Sequence, residues 1–179
     1  GGFRLRDQQL NQLTQAAFTF KEGEGAGCPD PVVNKDLIGR DASVLAEAAG
    51  INLSAKTELL FAETNADHVF VREEQMMPFL PIVRVPSVEA GIEACKIAEH
   101  QYKHTSIIHS HNVNHMTAMA RALDTTLFVK NGPSMAGLGL GGEGYLSYSI
   151  ATPTGEGVTN PQTFTRVRRC VMVDNLRIY

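Results

Sequence analysis

The sequence predicts an α/β fold in which a mostly parallel sheet is covered by helices. Three apolar segments of strand-like composition, residues 80–85, 105–109 and 125–130, alternate with two stretches of helical periodicity. Connections of this length are crossovers rather than hairpins, so the three strands are expected to run parallel with right-handed connections. The chain has 179 residues, of which 43% are hydrophobic and 20% charged, enough for a full-sized core.

The part of the chain before residue 80 contributes two further helices and a strand. Residues 7–20 are predicted to form an amphipathic helix, because their apolar side chains recur at the spacing of one helix face. Those side chains are Leu10, Leu13, Ala17 and Phe20. A second helix is predicted over residues 41–49, where Gly50 marks its end, and residues 57–62 are predicted to be a buried strand.

The two crossover helices follow polar side chains that can cap them. Ser87 precedes the first helix and Asn112 precedes the second, and both residue types accept hydrogen bonds from helix-start N–H groups. The first helix carries the apolar stripe Val88, Ile92 and Cys95, and the second carries Val113, Met116, Ala120 and Leu123.

The end of the chain changes character. Residues 145–152 and 163–173 have strand-like composition, yet no helical segment follows that could cover them. We therefore predict an α/β core over residues 1–144, followed at 145–179 by strands whose partner lies outside that core.

The string GLGLGGEG, residues 137–144, raises the possibility of a dinucleotide site. Its glycines have the G-x-G-x-x-G spacing of such loops. That motif needs a helix starting on it, whereas the residues that follow are rich in Tyr, Ile and Thr and favour a strand. The string is therefore predicted to be a turn whose backbone passes close to another part of the protein.

Charge and hydropathy exclude several kinds of partner. A net charge of −3 without a basic block does not suit nucleic acid, and no apolar run is long enough to span a membrane. No signal-peptide pattern is present, so a cytoplasmic protein is expected. The chain opens on Gly1 without a methionine, which suggests either residues left by cloning or a cut from a longer sequence.

The cysteines and histidines do not form a convincing catalytic or metal site. Cys28, Cys95 and Cys170 are odd in number and widely spaced, which favours reduced thiols, and Cys95 is expected in the core. The histidines of the 109–115 stretch lack a carboxylate or thiolate that would complete a metal site, so no metal is expected. Ligands are instead expected at the loops after the strands, residues 86–87, 109–112 and 131–135, because loops converge at strand carboxyl ends.

Several unusual strings occur in an order that resembles a known family. They are EQMMP at 74–78, LPIVRV at 80–85, FVKNGPS at 128–134, GGEG at 141–144, TPTGEG at 152–157 and TFTRVRRC at 163–170. Over residues 35–178 the chain resembles the C-terminal part of the catalytic domain of a CoA-acylating aldehyde dehydrogenase. The resemblance is to the propionaldehyde and acetaldehyde type associated with bacterial microcompartments.

The resemblance implies a reaction in which a cysteine thiolate attacks a short aldehyde, hydride passes to NAD⁺ and the acyl group passes to coenzyme A. It implies NAD as cofactor, coenzyme A as co-substrate, other copies of the same subunit as partners, and a cytoplasmic or microcompartment-lumen location. The family's nucleophilic cysteine and cofactor domain lie upstream of the matched region. No catalytic residue is therefore expected in this chain, and the chain alone is expected to be inactive.

The resemblance also assigns residues. Glu74 corresponds to a glutamate that binds the nicotinamide ribose, and Met76 stands where an aromatic side chain often packs on the nicotinamide. The loop after the third strand is expected to line the passage for the aldehyde and the pantetheine arm of CoA. That lining is expected to consist of Asn131, Ser134, Met135 and Gly137.

The late strands, 145–152 and 163–173, resemble the family's oligomerisation arm. An alternative from a different class remains, in which the chain is a stand-alone binding or assembly module. In that case the α/β core would only present the late strands to a partner.

Overall fold

The structure, a computed structural model, describes residues 1–21, 30–141, 146–148 and 157–173. Contacts divide the chain into two compact units, Gly1–Ala94 and Cys95–Tyr179. The predicted boundary between core and late strands, after residue 144, falls outside the described residues and stays a prediction.

The described residues of the first unit form five strands and three complete helices. In chain order they are β1 (Gly2–Arg4), α1 (Asp7–Ala17), β2 (Phe18–Lys21), β3 (Asp30–Val33), α2 (Ala42–Ala48), β4 (Leu59–Thr64), α3 (Val69–Arg72) and β5 (Phe79–Val83). The helix α4 (Val88–Ala98) follows and crosses the division between the units. β1, β4 and β5 form a parallel sheet in the order β1-β4-β5, while β2 and β3 form an antiparallel pair.

The core of the first unit lies where α1 and α2 meet the parallel sheet. α1 contributes Leu13 and α2 contributes Leu45, and both are fully buried with Leu60 of β4. An aromatic cluster joins this core, because the Phe70 ring lies 4.9 Å from Phe18 and 4.4 Å from Phe79, measured between ring centroids. Rings packed at such angles stabilise a core beyond the area they bury.

The predicted helix over residues 7–20 is wrong at its end, because α1 ends at Ala17. The residues that follow, Phe18–Lys21, pair with Asp30–Val33 as β2. Phe and Thr favour strands, and the available partner strand decides the conformation where helical spacing alone would extend the helix. The helix predicted over 41–49 is confirmed as α2, and the predicted strand 57–62 appears two residues later as β4.

The second unit begins within α4, and its described residues include a pair of parallel strands. Its further elements are β6 (Thr105–Ile108), α5 (Val113–Leu123), β7 (Leu127–Lys130), α6 (Ser134–Gly137) and a 3₁₀ helix (Pro161–Phe164). β6 and β7 run parallel, with Ser106 opposite Phe128. Met119 and Leu123 of α5 are buried, and so are Leu127 and Val129 of β7.

Both predicted helix caps are confirmed. The Ser87 hydroxyl accepts a hydrogen bond from the Ala90 N–H at 3.2 Å, before α4. The Asn112 side-chain oxygen accepts from the Asn114 N–H at 2.9 Å, at the start of α5. These caps are local, so a short stretch of sequence suffices to predict them.

The α/β class with parallel strands is confirmed. The described strands pair in parallel as β4 with β5 in the first unit and as β6 with β7 in the second. A crossover of this length predicts the direction of the next strand, but it does not decide which strand lies beside it.

The apolar stripes of α4 and α5 are covered less than expected. No residue of α4 is buried, and Cys95 is exposed, so the expectation that this thiol lies in the core is wrong. Neighbouring atoms still desolvate the sulfur in part, which raises the pKa of the Cys95 thiol. On α5, Leu123 is buried as expected, whereas Val113 is 69% exposed.

The strand predicted over residues 163–173 does not form within this chain. Pro161–Phe164 is a 3₁₀ helix capped by Asn160, and residues 165–173 are exposed and belong to no strand. Most of the other late strand, 145–152, lies outside the described residues, and residues 146–148 form no strand. In the part of the chain that the structure describes, no helix has the length and apolar character needed to cross a membrane.

The connection from α4 to β6 contains three non-glycine residues with positive φ: His100 at 53°, Gln101 at 65° and Lys103 at 53°. A side chain in this left-handed region costs about 1–2 kcal/mol, and glycine avoids that cost. We expect Gln101→Gly to raise the free energy of unfolding by roughly 0.5–1 kcal/mol, after the greater flexibility of glycine in the unfolded chain is subtracted.

Urea denaturation followed by circular dichroism measures this change. Gln101→Ala is the control, because alanine keeps the Cβ atom and with it most of the strain. Equal stability of the glycine and alanine variants would show that the left-handed conformation of Gln101 is not strained.

Candidate functional site

The first candidate site is the 73–77 loop, which joins α3 to β5. The Glu73 N–H donates to the Val69 carbonyl at 2.9 Å and so ends α3. Met77 is buried and anchors the other end of the loop, whereas Glu74 is exposed and Met76 is 65% exposed. The two residues with proposed cofactor roles therefore both face the surface of the first unit.

Hydrogen bonds on both sides fix the shape of the 73–77 loop. Met76 has a φ of 44°, an uncommon conformation for a residue with a side chain. Its carbonyl accepts from the Gly39 N–H at 3.1 Å, and the Gln75 side-chain oxygen accepts from the Met77 N–H at 3.0 Å. The loop thus holds Met76 in a strained conformation, a feature that clusters at binding sites.

His68 caps α3, the helix that leads into this loop. Its Nδ1 atom accepts a hydrogen bond from the Phe70 N–H at 3.2 Å, and its ring stacks on Phe70 at 5.8 Å between centroids. Partial burial disfavours the charged imidazolium and lowers the pKa of His68. The neutral ring keeps Nδ1 free of a proton, as this cap requires.

The second candidate site is formed by the loops after β6 and β7. The Asn131 side-chain oxygen accepts from the Ser110 N–H at 2.8 Å, and the Asn131 amide nitrogen donates to the Ser110 carbonyl at 2.9 Å. The Asn131 main-chain N–H donates to the Ile108 carbonyl at 2.8 Å. Asn131 therefore joins the two loops, and its amide is engaged within the protein.

Gly137 explains part of the glycine-rich string. A Cβ atom added at Gly137 would lie 2.9 Å from Val129 Cγ2 on β7, closer than real Cβ atoms approach. Only glycine lets α6 lie this close to the strand, so the predicted close approach of backbone is found at this position. Ser134, at the other end of α6, is exposed, and Met135 is half-buried.

The remaining candidate groups are spread over the chain. Cys95 and Cys170 are exposed free thiols, and Cys28 lies outside the described residues. Across the described ranges, no group of three or more His, Cys, Asp or Glu side chains could hold a metal ion. His115 instead contacts the Asn112 side chain at 3.3 Å between Nε2 and Nδ2.

The structure adds residues that sequence reasoning missed. Gly39 and Gln75 shape the 73–77 loop, and Ser110 is the partner of Asn131. The sequence indicates Ser110 only by its place after a strand. Its backbone bonds to the side chain of Asn131, which is 21 residues away, and such a contact leaves no local pattern. Glu74 and Met76 belong to the first unit, while Asn131, Ser134, Met135 and Gly137 belong to the second.

Comparison with characterised proteins shows that the chain is similar to part of several enzymes. The acetylating acetaldehyde dehydrogenase of Salmonella typhimurium is 48% identical over 175 residues, which are 98% of this chain and 37% of that protein. The CoA-propanoylating propanal dehydrogenase of Citrobacter freundii is 41% identical over 99% of this chain and 37% of its own length.

The chain is homologous to part of the CoA-acylating aldehyde dehydrogenases. It spans 37% of the length of these curated relatives. No protein-family model matches it.

Solved structures of CoA-acylating aldehyde dehydrogenases and related enzymes share the fold. Rhodopseudomonas palustris propionaldehyde dehydrogenase with bound propionyl-CoA has a TM-score of 0.84 and 42% identity, covering 96% of this chain and 36% of that one. An engineered glycolyl-CoA reductase with bound NADP⁺ has a TM-score of 0.83 and 42% identity, covering 96% of this chain and 37% of that one. A propionaldehyde dehydrogenase from the Clostridium phytofermentans fucose utilisation microcompartment has a TM-score of 0.82 and 38% identity, covering 96% of this chain and 37% of that one. The expected family resemblance is confirmed.

Proposed function

We propose that this chain is part of an enzyme that converts a short aldehyde, propionaldehyde or acetaldehyde, and CoA to the acyl-CoA. The observation that carries this proposal is 48% identity to an acetylating acetaldehyde dehydrogenase over 98% of the chain. NAD, when bound, would supply the hydride acceptor. The nucleophilic cysteine and the cofactor domain are assigned to sequence outside this chain.

Glu74 and Met76 are proposed to hold the nicotinamide end of the cofactor. Glu74 is an exposed carboxylate, and a carboxylate can accept hydrogen bonds from two neighbouring ribose hydroxyls. Met76 presents a polarisable apolar surface, 65% exposed, that suits the flat face of a nicotinamide ring. The fixed shape of the 73–77 loop supports this role, because a preformed site loses less entropy on binding.

The nicotinamide ribose is common to NAD and NADP. Glu74 would therefore bind either cofactor, and the selection between them is assigned to residues that contact the other ribose. We propose NAD for this protein, although one related structure, the engineered glycolyl-CoA reductase, contains NADP⁺.

The loop after β7 is proposed to border the path of the aldehyde and the pantetheine arm. Ser134 is exposed at the start of α6, and Met135 offers a flexible apolar side chain beside it. Gly137 would act indirectly, by letting α6 lie against β7 at Val129. This assignment is supported by the position of the loop at the carboxyl end of a parallel strand.

Residues 163–173 are proposed to contact another copy of the same subunit. Their apolar side chains are open to solvent, with Val167 98% exposed, Val171 74% and Val173 80%. Exposed apolar segments of this kind favour association. The cytoplasm or a microcompartment lumen is the proposed location, supported by the microcompartment origin of the Clostridium phytofermentans enzyme.

Glu74→Gln, made in the complete protein that contains this chain, tests the cofactor assignment. Loss of one charged hydrogen bond costs about 1.5–3 kcal/mol. We therefore expect kcat/KM for NAD⁺ to fall by roughly 10- to 150-fold. NADH formation from propionaldehyde and CoA measures this step.

A second assay separates hydride transfer from thioester chemistry. Exchange of labelled CoA into propionyl-CoA requires the acyl-enzyme but no hydride transfer, so Glu74→Gln should change it little. Glu73→Gln, one residue earlier in the same loop, is the matched control. If Glu74→Gln slows NADH formation and CoA exchange equally, or leaves kcat/KM for NAD⁺ unchanged, Glu74 is not a cofactor-binding residue.

A further inference from the structure

Asn131 extends the β6–β7 pair beyond the point where the strands end. The last paired residues are Ile108 and Lys130, and the Asn131 N–H still donates to the Ile108 carbonyl. Ser110 lies two residues beyond Ile108, in the loop after β6. The Asn131 side-chain amide bonds to both its N–H and its carbonyl. A side-chain amide has one acceptor and one donor group, so it can replace a peptide unit in a ladder.

The backbone at Asn131 requires the same residue type. Asn131 has a φ of 53°, which asparagine adopts more readily than most residues with a side chain. This conformation turns the chain out of β7 towards Gly132, Pro133 and α6. Asparagine thus meets two requirements at one position, the left-handed turn and the paired amide.

The connection continues from Ser110 to α5. The Ser110 hydroxyl accepts from the Asn112 N–H at 3.0 Å, and Asn112 caps α5 through its own side chain. A chain of hydrogen bonds therefore runs from the end of β7 through Ser110 to the first turn of α5. A shift of Asn131 would move both loops together.

We propose that Asn131 is a positioning residue that fixes the loops after β6 and β7 as one wall, and that it does not itself contact substrate. The proposal rests on the proposed function, because that function places Ser134 and Met135 beside the path of the pantetheine arm of CoA. It also revises the expectation that Asn131 lines the passage, because both halves of its amide already bond to Ser110.

Asn131→Gly tests this role, because glycine tolerates the positive φ and removes only the amide. In the 179-residue chain, we expect the Ser110 amide to exchange hydrogen about 3- to 10-fold faster, since its acceptor is lost. In the complete protein, we expect kcat/KM for CoA to fall about 10-fold while KM for NAD⁺ stays unchanged, because misplaced groups slow a reaction strongly. Asn114→Ala, an exposed asparagine of α5, is the control and should alter neither readout.

The outcomes separate this inference from the proposed function. An unchanged Ser110 exchange rate in Asn131→Gly overturns the link between the loops. Faster exchange of the Ser110 amide with an unchanged kcat/KM for CoA overturns the positioning role. An equal fall in kcat/KM for CoA and in kcat/KM for NAD⁺ overturns it as well. Absence of acyl-CoA formation by the complete unaltered protein instead overturns the proposed function, whatever the exchange rate shows.

Discussion

The 179-residue chain by itself is expected to form no NADH from propionaldehyde or acetaldehyde with CoA and NAD⁺. The acyl-enzyme requires a thiolate beside the bound aldehyde. Cys95 lies on α4 with its thiol pKa raised by partial desolvation, which disfavours the reactive thiolate. Cys170 lies in an exposed segment that belongs to no strand or helix. The expected rate is that of a buffer blank.

NADH absorbance measures this result, and the complete protein assayed beside the chain serves as the positive control. A chain in which Cys28, Cys95 and Cys170 are all replaced by alanine should give the same blank rate. Turnover by the unaltered chain that disappears when one of these cysteines is replaced would identify that cysteine as a nucleophile and contradict the prediction.

Phe70→Ala is expected to lower the free energy of unfolding of the first unit by about 3–5 kcal/mol, the range for a buried phenylalanine. Phe70 is 2% exposed and packs against Phe18 and Phe79, so its removal leaves a cavity between α3 and two strands. Such a loss is a large fraction of the total stability of a domain. Urea denaturation followed by far-ultraviolet circular dichroism measures it.

Two further variants keep this prediction testable if Phe70→Ala does not fold. Phe70→Leu retains an apolar side chain and should lose only about 1–2 kcal/mol. Phe20→Ala, at a phenylalanine that is 54% exposed in the same unit, should change stability by at most about 0.5 kcal/mol. Similar losses in Phe20→Ala and Phe70→Ala would show that the aromatic cluster does not hold the unit together.

Local sequence patterns predicted the helices well where a single residue decides the outcome. Ser87 and Asn112 cap α4 and α5 as expected, and Gly50, with a φ of 72°, ends α2. Each of these interactions spans a few residues, so the information needed to predict it lies within the same short stretch.

Other features depend on residues far along the chain. Helical spacing continues through Phe20, but pairing with Asp30–Val33 makes Phe18–Lys21 a strand. In the same way, the Met76 carbonyl accepts a hydrogen bond from the distant Gly39 N–H, and the Asn131 side-chain oxygen accepts one from the distant Ser110 N–H. No local pattern contains these partners, which is why the shapes of both candidate sites could not be predicted from spacing.

Periodicity also identifies an apolar face without showing what covers it. The stripe that begins at Val88 and includes Cys95 follows helical spacing, yet no residue of α4 is buried. The cofactor roles of Glu74 and Met76 rest on the family resemblance rather than on periodicity, and they stay predictions.

The pairing of β1 with β4 has a consequence for the order in which the first unit folds. Gly2–Arg4 bonds to Leu59–Phe61, so α1, the β2–β3 pair and α2 all lie within the loop that this contact closes. Closing such a loop costs entropy before any hydrogen bond forms, which makes non-local parallel pairs slow to assemble. During synthesis on a ribosome, the ladder between β1 and β4 cannot form until β4 has emerged, whereas the β2–β3 pair can form earlier from neighbouring segments. The parallel sheet therefore completes late, and the local helices and the β2–β3 pair precede it.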